Sequence, residues 1–162
     1  MKLKIFLPIA AVALLLFGVV LLALTVSSPH SELVKDVTLS DTDVTQETLE
    51  TSANGLIPGD SREYTLNFKG QSSGNYTLKF QFVELNDGAL KDSVKVTFVY
   101  GDKSDEYDLA YLLKGNIVTL NIKVLPKQAT TLKLIYSIPL TVGNEAQNAT
   151  ADFVINLSGD KN

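Results

Sequence analysis

Six segments of the sequence alternate between apolar and polar residues with a period of two. In a β-strand successive side chains point to opposite faces, so this alternation predicts strands that have one buried face. The apolar positions are mostly aromatic or β-branched, which are the residue types that strands favour. The segments are residues 64–68, 76–82, 94–100, 118–124, 132–138 and 153–157. A chain with this pattern folds mainly into β-sheet.

Turn-forming residues separate these segments. Glycine, proline, asparagine and aspartate favour turns because they tolerate or impose special backbone angles. They occur at Pro58-Gly59-Asp60, 70–74, 86–88, 101–102, 115–116, Pro126 and 143–144. The clearest tight-turn signal is Asn86-Asp87-Gly88, because Asp-Gly tolerates a positive φ. Residues 105–114 are compatible with one helical turn or with a short strand that crosses between sheets.

The segments between the predicted strands do not sustain a helical period of 3.6 residues. Parallel strands need long crossover connections, usually helices, and the connections here are short. About seven or eight short strands joined by turns therefore predict an all-β fold, an antiparallel two-sheet β-sandwich of the jelly-roll or immunoglobulin-like type. The sandwich is predicted over residues 56–158, with a polar tail at 159–162.

Residues 5–26 form an uncharged apolar run. A helix rises about 1.5 Å per residue, so the run reaches roughly 33 Å, enough for a bilayer core of about 30 Å. Lys2 and Lys4 precede it, which by the positive-inside rule places the N-terminus in the cytoplasm and the body outside. The run is predicted to be one hydrophobic helix, either an uncleaved signal-anchor or a signal peptide cleaved near Ser27. The body is membrane-tethered in the first case and secreted in the second.

Residues 27–55 are rich in serine, threonine and acidic residues, with Lys35 as the only Lys or Arg. This composition predicts either a solvated stalk or a first strand. The apolar side chains available for a strand are Leu33, Val34, Val37 and Leu39. A sheet edge presents unpaired N–H and C=O groups to an extended segment, so this strand is also a candidate donor to another chain.

Composition excludes several classes of function. Without residues 1–26 the chain loses two of its 14 basic residues and none of its 18 acidic residues, so the body carries a net charge of −6. An acidic body without basic clusters argues against nucleic acid as a partner. The absence of cysteine removes disulfides, thiolate metal sites and cysteine nucleophiles. His30 is the only histidine, and no HExxH or phosphate-binding glycine motif is present, so no enzyme is predicted.

The acidic loop at residues 101–108 is the best metal candidate. Calcium takes about six to eight oxygen ligands, which carboxylates and backbone carbonyls can supply. The candidate ligands are Asp102, Asp105, Glu106 and Asp108. Because the spacing differs from an EF-hand loop and Lys103 lies inside the cluster, a solvated edge loop is the competing interpretation. Tyr107 and Tyr111 are either a stacking platform for carbohydrate or half-buried packing. No cofactor is predicted, and calcium at this loop is the alternative.

A group of amide side chains near the C-terminus predicts a rigid turn. Pro139 ends the preceding strand because proline cannot donate to a ladder. Gly143 can adopt a positive φ at little steric cost. The amides expected to bond orphaned backbone groups in this turn are Asn144, Gln147 and Asn148. The chain then reverses into its last strand.

Two turn motifs resemble those of a known family. Leu56-Ile-Pro58-Gly59-Asp60-Ser61 opens an alternating strand, and Ile138-Pro139-Leu-Thr-Val-Gly143-Asn144-Glu145-Ala-Gln147-Asn148 leads into the last one. Together they resemble the camelysin/TasA-like family of exported bacterial β-sandwich proteins, over residues 56–158. The resemblance implies a jelly-roll-like sandwich at a Gram-positive cell surface, which in some members assembles into biofilm-matrix fibres. Some members are named metalloproteases, but this sequence has no recognisable zinc ligand set.

These observations predict a non-enzymatic cell-surface or extracellular-matrix protein. Its sandwich is expected to present sheet edges or loops to a protein partner or to copies of itself, and residues 5–26 are expected to contact the membrane. The alternatives are an extracellular carbohydrate- or metal-binding module, with hydrolase activity the least favoured.

Overall fold

The computed structural model describes residues 33–143, 146 and 148–162. The strands in these residues are β1 (Leu33–Leu39), β2 (Thr45–Ser52), β3 (Ser61–Gly70), β4 (Gly74–Glu84), β5 (Lys95–Tyr100), β6 (Lys103–Asp108), β7 (Ile117–Val124), β8 (Thr130–Ser137) and β9 (Asp152–Lys161). A 3-10 turn occupies Ala89–Asp92, and one short helix, α1 (Leu109–Leu113), follows β6. The predicted hydrophobic helix at 5–26 lies outside the described residues. In the part that is described, no helix is both long enough and apolar enough to span a bilayer.

The strands form two sheets, so the predicted two-sheet β-sandwich is confirmed. The five-stranded sheet has the order β1-β3-β8-β5-β6, and the four-stranded sheet has the order β2-β9-β4-β7. Apart from the β5–β6 hairpin, consecutive strands lie in different sheets. Most neighbours pair antiparallel, as expected. The described residues form one compact unit.

The pair formed by β1 and β3 is parallel and departs from the prediction. The two strands run in register with Val37 opposite Phe68. A parallel pair needs a crossover, and here β2 in the other sheet provides it in place of a helix. Short connections exclude a helical crossover, but they do not exclude a crossover through a strand of the other sheet. The parallel β1–β3 pair was therefore not predicted.

The six alternating segments coincide with β3, β4, β5, β7, β8 and β9, except that Val94 and Ile138 lie one residue outside β5 and β8. Along β7, exposed and buried residues alternate without a break. The sandwich begins earlier than residue 56, because residues 33–52 form β1, a short connection and β2. Of the two interpretations of this stretch, the structure shows the strand. At the C-terminus β9 extends to Lys161, so residues 159–161 belong to the sheet as well.

The core is built from aromatic side chains that reach across from both sheets. Phe98 on β5 meets Phe80 on β4 edge-on, with 5.2 Å between ring centroids. Tyr136 on β8 meets Phe153 on β9 at 5.5 Å. All four side chains are fully buried, and burying each large apolar side chain contributes about 1.5–3 kcal/mol before opposing terms.

Two connecting segments differ from expectation. Residues 105–108 end β6, which pairs with β5 in the five-stranded sheet and does not cross between sheets, and α1 then forms the expected helical turn. Gly88 has a φ of −91° and so does not adopt the positive φ that the tight-turn prediction assumed. A Cβ at this position would lie 1.8 Å from the Thr150 carbonyl oxygen, so close packing explains the glycine.

Candidate functional site

The four acidic residues predicted as calcium ligands lie along β6 and the turn before it. Asp102 is in the turn between β5 and β6, and the other three are on the strand. Because side chains alternate across a strand, Asp105 faces away from Glu106 and Asp108. Among the residues that the structure describes, no group of three or more His, Asp or Glu side chains could hold a metal ion. The structure therefore does not bring the predicted ligands together.

Two of these carboxylates bind neighbouring side chains instead. Asp105 accepts a hydrogen bond of 2.9 Å from the Tyr100 hydroxyl, which together with burial raises the pKa of Tyr100. Asp108 pairs with Lys95 at 2.5 Å, and this bond raises the pKa of the Lys95 ammonium. β6 is an edge strand, and charged side chains on an edge discourage pairing with other chains. These acidic residues are therefore solvated, as the competing interpretation expected, but they lie on an edge strand and not in a loop.

Tyr107 and Tyr111 stack on each other where β6 leads into α1. Their ring centroids are 6.5 Å apart and their planes differ by 9°. Tyr107 also packs edge-on against buried Phe98 at 5.8 Å, and burial raises the pKa of its phenol. Tyr111 is 50% exposed. Tyr107 is thus part of the packing, whereas Tyr111 presents an aromatic ring to solvent.

The two turn motifs that carry the family resemblance meet in space. Gly59, with a φ of 92°, donates a 2.8 Å hydrogen bond from its backbone N–H to the Ile138 carbonyl. The Ile138 N–H donates in return to the Asp60 carbonyl at 3.1 Å. A Cβ on Gly59 would come within 2.7 Å of the Leu140 side chain. The positive φ is the reason that the turn at Pro58 needs glycine, since the exposed Leu140 side chain can move away from a Cβ.

Part of the predicted amide turn lies outside the described residues, namely Asn144 and Gln147. Within the described part, the Val142 N–H donates to the Pro139 carbonyl at 3.1 Å. Asn148 has a φ of 63°, a left-handed conformation that asparagine tolerates better than most residues. Pro139 follows the end of β8 by two positions, as predicted.

The four apolar residues of the predicted donor strand divide into two pairs. Val37 and Leu39 are fully buried in the core, whereas Leu33 and Val34 are 53% and 57% exposed. β1 is thus docked in its own sandwich through its second half. Its first half presents apolar side chains at the edge of the five-stranded sheet.

A cleft lies between the edge strands β1 and β2. It is about 270 Å³ in volume and mostly apolar, with side chains from both sheets. Its apolar lining includes Val34, Leu49, Tyr64, Leu66, Leu134 and Ile155. Lys35 lines one side and donates to the Glu47 carboxylate and to the Thr48 carbonyl, at 3.1 and 3.3 Å. We refer to this feature as the β1–β2 cleft.

Two hydroxyl groups among the lining residues of the β1–β2 cleft have no hydrogen-bonding partner outside the pair in the part of the chain that the structure describes. They belong to Thr51 on β2 and Tyr136 on β8, and both oxygen atoms are buried. Burial raises the pKa of Tyr136, and a hydrogen bond with the Thr51 hydroxyl acts in the opposite direction, so one of the two O–H donors is left without an acceptor. A buried polar group without a partner costs about 1–3 kcal/mol. Sequence reasoning missed both residues, because a single tyrosine or threonine in an alternating strand carries no distinguishing signal.

Comparison with known proteins identifies no family. No protein-family model matches the chain, and no curated protein matches it. Among solved structures, the pre-peptidase C-terminal domain of a collagenase from Bacillus anthracis is 13% identical, with a TM-score of 0.40, and covers 81% of this chain and 98% of that one. A PliG mutant from Escherichia coli, a periplasmic inhibitor of g-type lysozyme, is 15% identical over 80% and 98% of the two chains, with a TM-score of 0.36. Likenesses this weak carry no argument about function.

Proposed function

We propose that this is a non-enzymatic protein of the cell surface or extracellular matrix that associates with copies of itself through the free edge of β1. The observation that carries the proposal is the exposure of Leu33 and Val34 on an edge strand. An edge strand offers a row of backbone N–H and C=O groups to a further strand, and natural proteins normally protect such edges.

The charges on β1 do little to protect its edge, because neighbouring side chains already compensate them. Lys35 pairs with Glu47 at 3.1 Å, and Asp36 pairs with Lys69 at 2.5 Å. The opposite edge of the same sheet is different, since β6 carries three acidic residues and exposes no large apolar side chain. Of these two edges, β1 is the better suited to strand addition.

Sequence features support an extracellular setting for this role. The apolar run at 5–26 with basic residues before it favours export of the body. The order of β2 to β9 in the two sheets favours the jelly-roll alternative over the immunoglobulin-like one. The turn motifs resemble the camelysin/TasA-like family, whose members include proteins of the biofilm matrix.

Disulfide cross-linking of single-cysteine variants tests the proposal, since the natural chain has no cysteine. Val34→Cys places a thiol on the β1 edge, and Ile117→Cys is a control of matched exposure, 57% against 54%, on β7. Both full-length variants are reconstituted in vesicles at equal density and oxidised. We expect several-fold more dimer from Val34→Cys. Equal yields, which random collision would give, would contradict association through β1.

A second candidate function is carbohydrate binding through the exposed ring of Tyr111. The stack on Tyr107, with rings 9° from parallel, holds that ring in a fixed orientation. Aromatic faces of this kind are rigid anchors for ligands. Tyr111→Ala should abolish retention on immobilised polysaccharide if this function is present, and Ile117→Ala is the exposed control. Absence of retention for the natural chain across cell-wall polysaccharides would remove this candidate.

A further inference from the structure

We propose that the β1–β2 cleft binds a small neutral molecule that has an apolar body and one hydrogen-bonding group, such as an alkylphenol or a medium-chain alcohol. The proposal rests on the interior of the cleft. It does not depend on the association of β1 edges, and each can fail without the other.

The two hydroxyls of Thr51 and Tyr136 are the observation that points to a ligand. Tyr136 is completely buried, and within the described part of the protein each hydroxyl has only the other as a hydrogen-bonding partner. Each hydroxyl can both donate and accept. One hydrogen bond between them leaves one O–H donor without an acceptor, and a ligand oxygen can accept from it.

The apolar lining and the size of the cleft define the rest of the ligand. An engineered apolar cavity of about 150 Å³ holds benzene. The cleft of about 270 Å³ is therefore suited to roughly ten non-hydrogen atoms. Exposed Leu33 and Val34 are among its lining residues, so the cleft reaches the surface and a ligand can enter from there.

The charged residues of the cleft argue against an anionic ligand. Lys35 and Glu50 are its charged lining residues, and Lys35 is already paired with Glu47. The remaining charge is the negative one of exposed Glu50. A carboxylate ligand would face this charge and would also lose its hydration on entering an apolar site. The same desolvation cost disfavours an ammonium group at the buried hydroxyls.

Calorimetric titration with 4-propylphenol tests the proposal. The full chain is held in lipid nanodiscs, and empty nanodiscs supply the blank for partition of the probe into lipid. We expect saturable binding by the natural chain and a Kd raised about three- to tenfold in Thr51→Val and in Tyr136→Phe. Thr48→Val, an exposed position on the outer face of β2, is the matched control and should leave the Kd unchanged.

Propylbenzene and 4-propylbenzoate test the chemistry without any mutation. Propylbenzene lacks the hydroxyl and should bind several-fold more weakly, while the benzoate should not bind measurably. Equal affinity for propylbenzene and 4-propylphenol, or identical Kd values in the natural chain and both hydroxyl variants, would overturn the proposal. So would the absence of binding by the natural chain.

Discussion

The Tyr76 hydroxyl donates a hydrogen bond of 2.5 Å to the Asp41 carboxylate. Tyr76 is fully buried on β4, and Asp41 lies in the connection between β1 and β2. Lys161 on β9 pairs with the same carboxylate at 3.2 Å. The connection is thereby fastened to two strands of the four-stranded sheet. This contact holds the first two strands in the sandwich.

Loss of this hydrogen bond should destabilise the protein. We expect Tyr76→Phe to lower the melting temperature by about 4–10 °C, because it removes a hydrogen bond to a charged acceptor. Circular dichroism during a thermal scan provides the measurement.

Tyr136→Phe is the matched control, since Tyr136 is equally buried but its hydroxyl has no charged partner among the described residues. Its melting temperature should stay within about 3 °C of that of the natural chain, because the variant removes one of two poorly satisfied hydroxyls and no bond to a charged acceptor. Equal decreases in melting temperature in Tyr76→Phe and Tyr136→Phe would contradict a special contribution of the Tyr76–Asp41 hydrogen bond.

The same carboxylate should contribute to acid sensitivity. Hydrogen bonds from Ser72 and Tyr76, and then the interactions with Lys161, lower the pKa of Asp41 from 3.8 to about 2. A lowered pKa in the folded state stabilises the protein above the pKa of the unfolded chain, and this stabilisation is lost as the pH falls. The free energy of unfolding should therefore fall between about pH 4 and pH 2 more steeply for the natural chain than for Asp41→Asn. Urea titrations at several pH values would reveal parallel curves if Asp41 has no such role.

Truncations in β1 should separate its docked half from its exposed half. Leu39→Ala should cost about 2–5 kcal/mol of unfolding free energy, since Leu39 is fully buried. Leu33→Ala, at a position that is 53% exposed, should cost less than about 1 kcal/mol. Chemical denaturation measures both. Similar small losses would mean that residues 33–39 behave as a stalk.

Two glycines should respond differently to alanine. At Gly88 a Cβ would lie 1.8 Å from the Thr150 carbonyl oxygen, so Gly88→Ala should cost about 3 kcal/mol or more. At Gly101 nothing lies within 4 Å, and only the φ of 57° opposes a side chain. Gly101→Ala should therefore cost about 1–2 kcal/mol. Chemical denaturation measures the unfolding free energy of both variants. A smaller decrease for Gly88→Ala than for Gly101→Ala would rule out close packing as the reason for glycine at position 88.

The sequence predicted the strands well and the candidate sites poorly. Alternation identified six strands because the side-chain period of a strand is a local property. The acidic residues at 102–108 are close in sequence, but the pleat of β6 sends neighbouring side chains to opposite faces of the sheet. Their carboxylates therefore do not converge on one metal site. The first strands were obscured because serine, threonine and acidic residues on the outer faces of β1 and β2 resemble a solvated stalk.

By itself, the sequence determined that this is a β-sheet protein and which side chains of most strands face inward. Only the tertiary structure decided that β1 pairs parallel with β3 and that Tyr76 meets Asp41. It also decided that Thr51 and Tyr136 line one cleft. The physical reason is that alternation selects a face, whereas the partner across that face depends on strand order and register. These are set by packing between segments far apart in the chain.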